Sequence, residues 1–365
     1  MTSPTISNLK PHFNLAQQFA YNVLASSNIY ELPVNLKKLV RSYNIQLQSY
    51  TMFAKDMNIP LEMVTSLCAS DDGCIMKRED GTYLLLYNDL VTNIGRVRFT
   101  IAHEFGHFIL KHHDESDETT ISRDNPFMRL RDKKYDRFEQ EANYFAKRLI
   151  APIPLVDEYI HNFQTAPLST QFISEVFGTS KEFAGYINKE LDKRSKKNNI
   201  IRETHRLLDN FQDFLYHEFN TKFCFTCNSI SPVSYNCCSI CGNNNFSIPT
   251  INNFTQLHYL RKNRSMIYQK LELDKDGRLC EKCPICENEN LHDNYCQICG
   301  IDIINRCTGI KEEHSGFLTT MVSCETPLDG DARYCYICGA RSTFLENEIL
   351  PVWLENNMSE ATQLT

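Results

Sequence analysis

The sequence predicts an α+β protein in two parts: a domain of helices with a small antiparallel sheet, then a helical linker and an array of small cysteine-rich modules. Two observations predict this division. Apolar residues in the first part recur with helical and strand periods. Of the 16 cysteines among 365 residues, 14 lie between Cys224 and Cys338. Dense cysteine in a long chain without an export signal indicates metal binding more than disulfides.

The composition is that of a globular protein, with 42% hydrophobic and 23% charged residues. The net charge of -7 gives no general reason to expect nucleic-acid binding. The polar N-terminus lacks the apolar segment of a secretion signal, and no apolar run is long enough to cross a bilayer. We therefore expect a cytoplasmic protein without a membrane partner.

The first elements are predicted to be two helices within residues 13–45, followed by a strand over 44–51. A hairpin follows, with strands at 74–76 and 82–87 around the turn Glu79-Asp80-Gly81. Its second strand precedes the next helix, where it could form a sheet edge along which a peptide lies. A purely structural hairpin is an equal alternative.

One helix, predicted over residues 97–111, carries the first catalytic motif, His103-Glu104-Phe105-Gly106-His107. Histidines at i and i+4 lie one above the other on one helix face, where they can fill two of the four positions around Zn²⁺. Glu104 is offset by about 100° and can face a water beside the metal without ligating it. Zinc lowers the pKa of such a water to about 7, and a carboxylate can take its proton. Glu104 is therefore the predicted general base.

The third zinc ligand is predicted on a second helix, over residues 136–150. Glu139 lies on the broad apolar arc of this helix, whereas Glu141 lies on the other flank, so we expect Glu139 to ligate. A buried carboxylate needs a partner, and zinc is one. Asn143, one turn later, could hydrogen-bond a ligating histidine.

His113 is an alternative third ligand that we do not favour. Some zinc peptidases extend the motif to a third histidine after a helix-breaking glycine, but that position is Leu110 here. A helix continuing through Leu110 would carry His113 to the wrong side.

The two motifs together resemble the ImmA/IrrE family of zinc metallopeptidases, over roughly residues 10–195. The resemblance rests on H-E-F-G-H, on the later E-x-E-A-N-x-F-A-x-x-L-I-A-P at 139–152, and on their spacing. It implies a zincin-like fold with His103, His107 and Glu139 on a catalytic zinc. It also implies cleavage of helix-turn-helix transcriptional repressors as the substrate class. Further helices are expected at 168–177 and 180–191, the latter with Ser180 as N-cap.

The cysteine-rich part is predicted to hold two to three structural zinc ions in modules that resemble rubredoxin-like zinc ribbons. Four thiolates suffice for each tetrahedral zinc. The three predicted sets are Cys224, Cys227, Cys238 and Cys241 (ribbon 1), Cys283, Cys286, Cys296 and Cys299 (ribbon 2), and Cys307, Cys324, Cys335 and Cys338 (ribbon 3). Cys237 could replace Cys238, Cys280 could join the second or third site, and Cys68 and Cys74 have no predicted role.

The expected domain limits follow from these motifs. They are the metallopeptidase domain 10–195, a helical linker 196–222, ribbon 1 at 223–248, a linker 249–279, ribbon 2 at 280–304 and ribbon 3 at 305–355. The first linker is a spacer or a dimer contact; the sequence does not distinguish these roles.

Protein recognition is the expected role of the ribbons, because residues 221–350 contain 12 Lys and Arg against 15 Asp and Glu. One local basic patch remains, which could touch nucleic acid but is better explained as a solvated linker. Its members are His258, Arg261, Lys262, Arg264 and Lys270, with Tyr259 and Tyr268 interleaved.

We therefore expect a cytoplasmic zinc-dependent endopeptidase that cleaves a specific protein and uses its ribbons for recognition. The group that stabilises the oxyanion is left open between Tyr135, His112 and His113. Two alternatives are a non-catalytic regulatory protein of this fold and a nucleic-acid-binding regulator that acts through the ribbons.

Overall fold

The structure is a computed structural model of the chain. It describes residues 10–115, 120–121, 133–165, 168–196, 203–280, 282–314, 318–322 and 324–353. The chain divides into two compact units, residues 1–215 and 216–365. No helix in the described part combines the length and apolar character needed to cross a membrane.

The first unit mixes helices with one small sheet, which confirms the α+β prediction. In the described residues its helices are α1 (Phe13–Ala25), α2 (Leu36–Arg41), α3 (Tyr50–Met57), α4 (Leu61–Cys68), α5 (Ile94–Ile109), α6 (His112–Glu115), α7 (Lys133–Ile150), α8 (Ile153–Phe163), α9 (Thr170–Phe177) and α10 (Lys181–Lys196). Its strands are β1 (Ile45–Ser49), β2 (Gly73–Lys77), β3 (Tyr83–Tyr87) and β4 (Thr120–Ile121). Helix α11 (Leu207–Asn220) spans the boundary between the units in sequence.

Side-chain caps fix the starts of several of these helices. The Asn93 side chain accepts a hydrogen bond from the Arg96 amide at 3.1 Å and starts α5, the helix that carries the histidines. Ser180 accepts from the Phe183 amide at 3.1 Å, which makes it the predicted N-cap of α10. Each cap satisfies a backbone N–H that has no partner within its own helix.

The sheet differs from the prediction in one respect that matters for substrate binding. Its strand order is β1-β3-β2-β4, so β3, expected as a possible edge, is an interior strand. It pairs in parallel with β1 and antiparallel with β2. The sheet is therefore mixed, and the prediction of a peptide added along β3 is wrong. The cause is the return of β1 alongside β3, a long-range parallel pairing that the local hairpin pattern cannot show.

The second unit is built from short strands and cysteine loops. Its elements in the described residues are β5 (Thr221–Cys224), β6 (Ile230–Pro232), β7 (Phe246–Ser247), α12 (Phe254–Arg264), β8 (Ile310–His314), β9 (Leu318–Val322) and α13 (Thr343–Glu346). A small apolar cluster formed by Leu279, Ile303, Phe344 and Leu350 joins residues of ribbons 2 and 3. These modules bury few apolar side chains, as expected of domains that depend on metal.

Residues 249–279, expected to be a solvated linker, contain helix α12 packed beside ribbon 1. The buried Arg261 guanidinium donates to the Thr221 carbonyl at 2.7 Å and to the Glu218 carbonyl at 3.0 Å. His258 lies 3.3 Å from the Glu218 carboxylate. Two members of the basic patch are thus engaged within the unit, which leaves less positive charge for nucleic acid.

Candidate metal centres

Helices α5 and α7 bring the three predicted ligands of the catalytic zinc together. The Nε2 atoms of His103 and His107 lie 3.1 Å apart. The two carboxylate oxygens of Glu139 lie 3.3 Å from these nitrogens, Oε2 from His103 and Oε1 from His107. One donor atom from each of the three residues lies within 4.8 Å of the others.

These separations fit a shared tetrahedral zinc. Ligand atoms bound about 2.0–2.1 Å from one zinc at the tetrahedral angle lie about 3.4 Å apart. The observed 3.1 to 3.3 Å is close to that value. Two imidazole nitrogens and one carboxylate oxygen are also a donor set typical of catalytic zinc, which leaves the fourth position open. The residues present therefore fit the metal, although that assignment stays a prediction.

Gly106, inside the motif, allows the two helices to approach. A Cβ atom at this position would lie 2.9 Å from Cδ1 of Phe145 and 3.4 Å from the backbone of Ala142. Ala142 and Phe145 are fully buried on α7, about one and two turns after Glu139. The missing side chain thus sets the distance across which Glu139 reaches the histidines.

Behind the ligands, a second histidine and a second carboxylate continue the hydrogen-bond network. Nδ1 of His107 lies 2.9 Å from Nδ1 of His112, and Nε2 of His112 lies 3.1 Å from Glu141. The other Glu141 oxygen accepts from the His12 amide at 2.8 Å. His112 is also stacked on the Phe138 ring, with centroids 4.3 Å apart.

Zinc at Nε2 of His107 would fix the direction of every hydrogen bond in this network. His107 must then carry its proton on Nδ1 and donate to His112, which in turn carries a proton on Nε2 and donates to Glu141. The negative charge on Glu141 favours that arrangement. This places Glu141 in the shell outside the ligands, consistent with the expectation that Glu139 is the ligand.

Burial and neighbouring groups favour the metal-binding forms of His107 and Glu139. Burial lowers the pKa of His107 to about 3, although Glu139 opposes that shift. For Glu139, burial acts to raise the pKa, but the neighbouring His103 and His107 lower it overall. Burial likewise lowers the pKa of His112, with the Glu141 hydrogen bond acting in the opposite direction. Neutral histidines and an ionised glutamate are the ligand forms that zinc requires.

Glu104, the predicted general base, is fully buried on α5, between the two predicted ligands His103 and His107 in sequence. His113 does not join the ligand group in the described residues. Its Nε2 lies 3.3 Å from the Ile75 carbonyl, and burial lowers its pKa to about 4. Helix α5 ends at Ile109 and Lys111 has a positive φ of 58°, so the expected continuous helix through Leu110 is wrong.

Three further predicted roles differ in their outcome. His112 contacts His107 and Glu141, so it lies behind a ligand, a position unlike that expected of an oxyanion-stabilising group. Asn143 makes no hydrogen bond to either ligating histidine among the described residues, and its outer-shell role stays a prediction. The side chain of Tyr135 lies outside the described residues.

The second unit contains the three predicted cysteine sets as compact clusters. Within them, the closest sulfur pairs are 3.4 to 3.7 Å apart. Thiolates bound about 2.3 Å from one zinc at the tetrahedral angle lie about 3.8 Å apart, whereas bonded disulfide sulfurs lie about 2.05 Å apart. The clusters therefore fit zinc ribbons.

The remaining four cysteines lie outside these clusters. Cys238, and not its neighbour Cys237, belongs to ribbon 1, and Cys280 belongs to none of the three groups in the described residues. Cys68 and Cys74, for which the sequence predicted no role, form a fully buried disulfide between the end of α4 and β2.

Comparison with known proteins agrees with the geometry. Residues 56–187 match the peptidase M78 family, described as the IrrE N-terminal-like domain. The matched stretch contains His103, Glu104, His107 and Glu139, and it confirms the resemblance read from the two motifs. No curated protein matches the chain.

Proposed function

With residues 56–187 forming an IrrE N-terminal-like domain of the peptidase M78 family, we propose that this protein is a zinc-dependent endopeptidase with a small set of protein substrates. The observation that carries the proposal is the convergence of His103, His107 and Glu139 on one point, with donor atoms 3.1 to 3.3 Å apart. Glu104 on the same buried helix supplies the carboxylate that peptide hydrolysis needs.

The chemistry divides between the metal and this chain's own residues. His103, His107 and Glu139 would hold zinc, which when bound polarises the scissile carbonyl and acidifies water. Glu104 takes the proton of the attacking water and later delivers it to the leaving amine. His112 and Glu141 hold the imidazole of His107 in the orientation and tautomer needed for ligation.

The substrate class is proposed from the family resemblance, which points to helix-turn-helix transcriptional repressors. The three ribbons support a narrow substrate range, because they supply recognition surfaces separate from the cleavage site. A net charge of -3 over 221–350 and the internal pairing of Arg261 and His258 favour a protein partner over nucleic acid.

Glu104→Gln tests the proposal, because the amide keeps the shape of the side chain and cannot accept a proton as a base. We expect the variant to retain its zinc and its fold while losing cleavage by roughly a hundred-fold or more. Proteomics of cells expressing the wild type or Glu104→Gln would identify the protein whose fragments disappear. The rates at which the purified wild type and Glu104→Gln cleave that purified substrate are then compared.

The matched control is Glu182→Gln, the same chemical change at an exposed site on α10. It should leave cleavage unchanged. Intact cleavage by Glu104→Gln would refute the proposed mechanism. A wild-type chain that holds zinc only in its ribbons would refute the zinc site itself.

A further inference from the structure

Ribbons 1 and 3 dock against each other through matching parts of their Cys-x-x-Cys-Gly loops, here called knuckles. The knuckle of ribbon 1 is Cys238–Gly242, and that of ribbon 3 is Cys335–Gly339. The amides of Arg333 and Tyr334, just before the ribbon 3 knuckle, donate to the Ser239 carbonyl at 2.7 and 2.9 Å. Ser239 is the first residue between the two cysteines of the ribbon 1 knuckle.

The reverse contact uses the same positions. The amides of Asn236 and Cys237, just before the ribbon 1 knuckle, donate to the Tyr336 carbonyl at 2.8 and 3.0 Å. Tyr336 is the first residue between the cysteines of the ribbon 3 knuckle. Because each ribbon gives and receives through equivalent residues, the interface has approximate two-fold symmetry.

Further side-chain contacts join the two ribbons, and the Tyr235 ring of ribbon 1 stacks on the Tyr336 ring of ribbon 3 with centroids 4.2 Å apart. The Tyr334 ring of ribbon 3 covers Gly242, where an added Cβ would lie 2.9 Å from the ring. The Asn236 amide group of ribbon 1 donates to the Ile337 carbonyl at 3.3 Å. In return, Cys237 Sγ lies 3.1 Å from the Cβ position of Gly339.

Ribbon 2 has the same knuckle, Cys296–Gly300, and leaves it open. Nothing among the described residues lies within 4 Å of a Cβ built on Gly300, in contrast to the two glycines above. Asn294 and Tyr295, which precede the knuckle, are exposed, as are Gln297 and Ile298 within it. In the described residues the backbone amides of Asn294 and Tyr295 make no hydrogen bond, so they remain available as donors.

The ribbon 2 surface is complementary to itself. It carries an asparagine two residues before the knuckle, like Asn236 of ribbon 1, and a tyrosine one residue before it, like Tyr334 of ribbon 3. In the docked pair, ribbon 1 supplies the asparagine and ribbon 3 supplies the tyrosine. Ribbon 2 has both residues, as Asn294 and Tyr295. A two-fold dimer requires one surface that fits its own copy. The residues that would make these shared contacts are uncharged: Asn294, Tyr295, Gln297, Ile298 and Gly300. The stacked Tyr235 and Tyr336 of the docked pair correspond in ribbon 2 to Asp293 and Gln297, so the ring stack is not repeated there.

We propose that ribbon 2 binds ribbon 2 of a second copy of this chain, in the arrangement that ribbons 1 and 3 adopt within one chain. The amides of Asn294 and Tyr295 donate to the Gln297 carbonyl of the other copy, and the Asn294 side chain donates to its Ile298 carbonyl. The Tyr295 ring covers Gly300 of the other copy. A contact confined to two knuckles is small, so the dimer is expected to be reversible and to form at micromolar or higher concentration.

Sedimentation equilibrium of the full zinc-loaded chain over a range of concentrations tests this proposal. The wild type should shift from one to two chains per particle as its concentration rises. Tyr295→Asp should stay at one chain, because it places a carboxylate against the zinc-bound thiolates of the other copy. Ile285→Asp is the matched control: it adds the same charge at an exposed isoleucine of the other Cys-x-x-Cys pair of ribbon 2, and should dimerise like the wild type.

Asn294→Ala provides a second variant that leaves the hydrophobic and charged character of ribbon 2 nearly unchanged. It removes two symmetry-related hydrogen bonds and should weaken the dimer about ten-fold or more. Zinc content, measured for each variant, reports whether ribbon 2 is folded. A wild type that stays at one chain at every concentration overturns the proposal. So does a dimer that Asn294→Ala leaves unchanged, or one that Ile285→Asp and Tyr295→Asp weaken equally.

Discussion

Gly106→Ala should loosen the catalytic zinc site without touching a ligand. The added methyl would lie 2.9 Å from Cδ1 of Phe145 and 3.4 Å from the Ala142 backbone. Carbon atoms in good contact are about 3.5–4.0 Å apart, so α5 and α7 must separate by roughly 0.6–1 Å. Phe145 is fully buried and cannot swing away into solvent.

Stability and zinc affinity should respond to different degrees. Overpacking a core costs about 1–3 kcal/mol, while replacing glycine with alanine inside a helix returns up to about 1 kcal/mol. The net loss of unfolding free energy is therefore about 0–3 kcal/mol. The zinc site tolerates only about 0.2 Å in its distances, and Glu139 moves with α7. Zinc affinity should consequently fall by about ten-fold or more.

The assay is competition between the protein and a zinc chelator, with the three ribbons as an internal reference. The chelator should remove the zinc held by histidine and glutamate more easily from Gly106→Ala than from the wild type. Release of the zinc ions held by cysteines in the ribbons should not change. Gly185→Ala is the matched control, because nothing in the described residues lies within 4 Å of a Cβ at that position on α10. Equal zinc affinity in Gly106→Ala and Gly185→Ala would show that close helix approach does not set the ligand geometry.

Glu141→Gln should also lower the affinity for the catalytic zinc by about ten-fold or more, because a neutral amide no longer favours the tautomer of His112 that supports His107. Competition with a chelator measures this affinity. Glu190→Gln should flatten the acid dependence of stability. The pKa of Glu190 is lowered, since hydrogen bonding and charge from Arg148 outweigh the opposing effect of burial. A lowered pKa stabilises the fold above the unfolded value of about 4.3 and loses that contribution as pH falls through the folded value. Urea unfolding at several pH values between 3 and 7, on the order of one unit apart, measures it.

Controls for these two variants come from exposed glutamates of the same unit. Glu182→Gln should leave zinc affinity as in the wild type, so an equal loss there would contradict the role of Glu141. Glu175→Gln changes an exposed residue on α9. If the wild type and Glu190→Gln lost stability in parallel from neutral to acid pH, the ion pair with Arg148 would not account for the acid limb.

The parts of the site that follow from helix geometry could be predicted from the sequence. The spacing of His103 and His107 places them on one face of any helix. The pattern of apolar residues over 136–150 favoured Glu139 over Glu141 as the ligand, and the distances of 3.3 Å to both histidines agree with that choice. The first two cysteine sets were predictable because each Cys-x-x-Cys pair brings two sulfurs to one side of a short turn. The third set has only one such pair, and its Cys307 and Cys324 are widely spaced in the sequence.

The supporting network could not be predicted, because it depends on how the chain turns after α5. Lys111 adopts a positive φ, a conformation usually marked by glycine or asparagine. No such residue signals the turn here, so the sequence favoured a continuing helix. The turn brings Nδ1 of His112 to 2.9 Å from Nδ1 of His107, and His112 then connects His107 to Glu141.

The N-terminal elements belong to the same structure as the zinc site, although the family match begins only at residue 56. Helix α1 packs against α7, the helix that carries Glu139. Strand β1 makes β3 an interior strand of the sheet. The His12 amide donates to Glu141 at 2.8 Å and so supports the hydrogen-bond network behind His107. Residues preceding the matched stretch therefore contact the network that orients His107, a proposed zinc ligand. We therefore expect the proposed metallopeptidase unit to include His12 and α1, since removing them would take away a hydrogen-bond donor to Glu141 and expose the face of α7 that α1 covers.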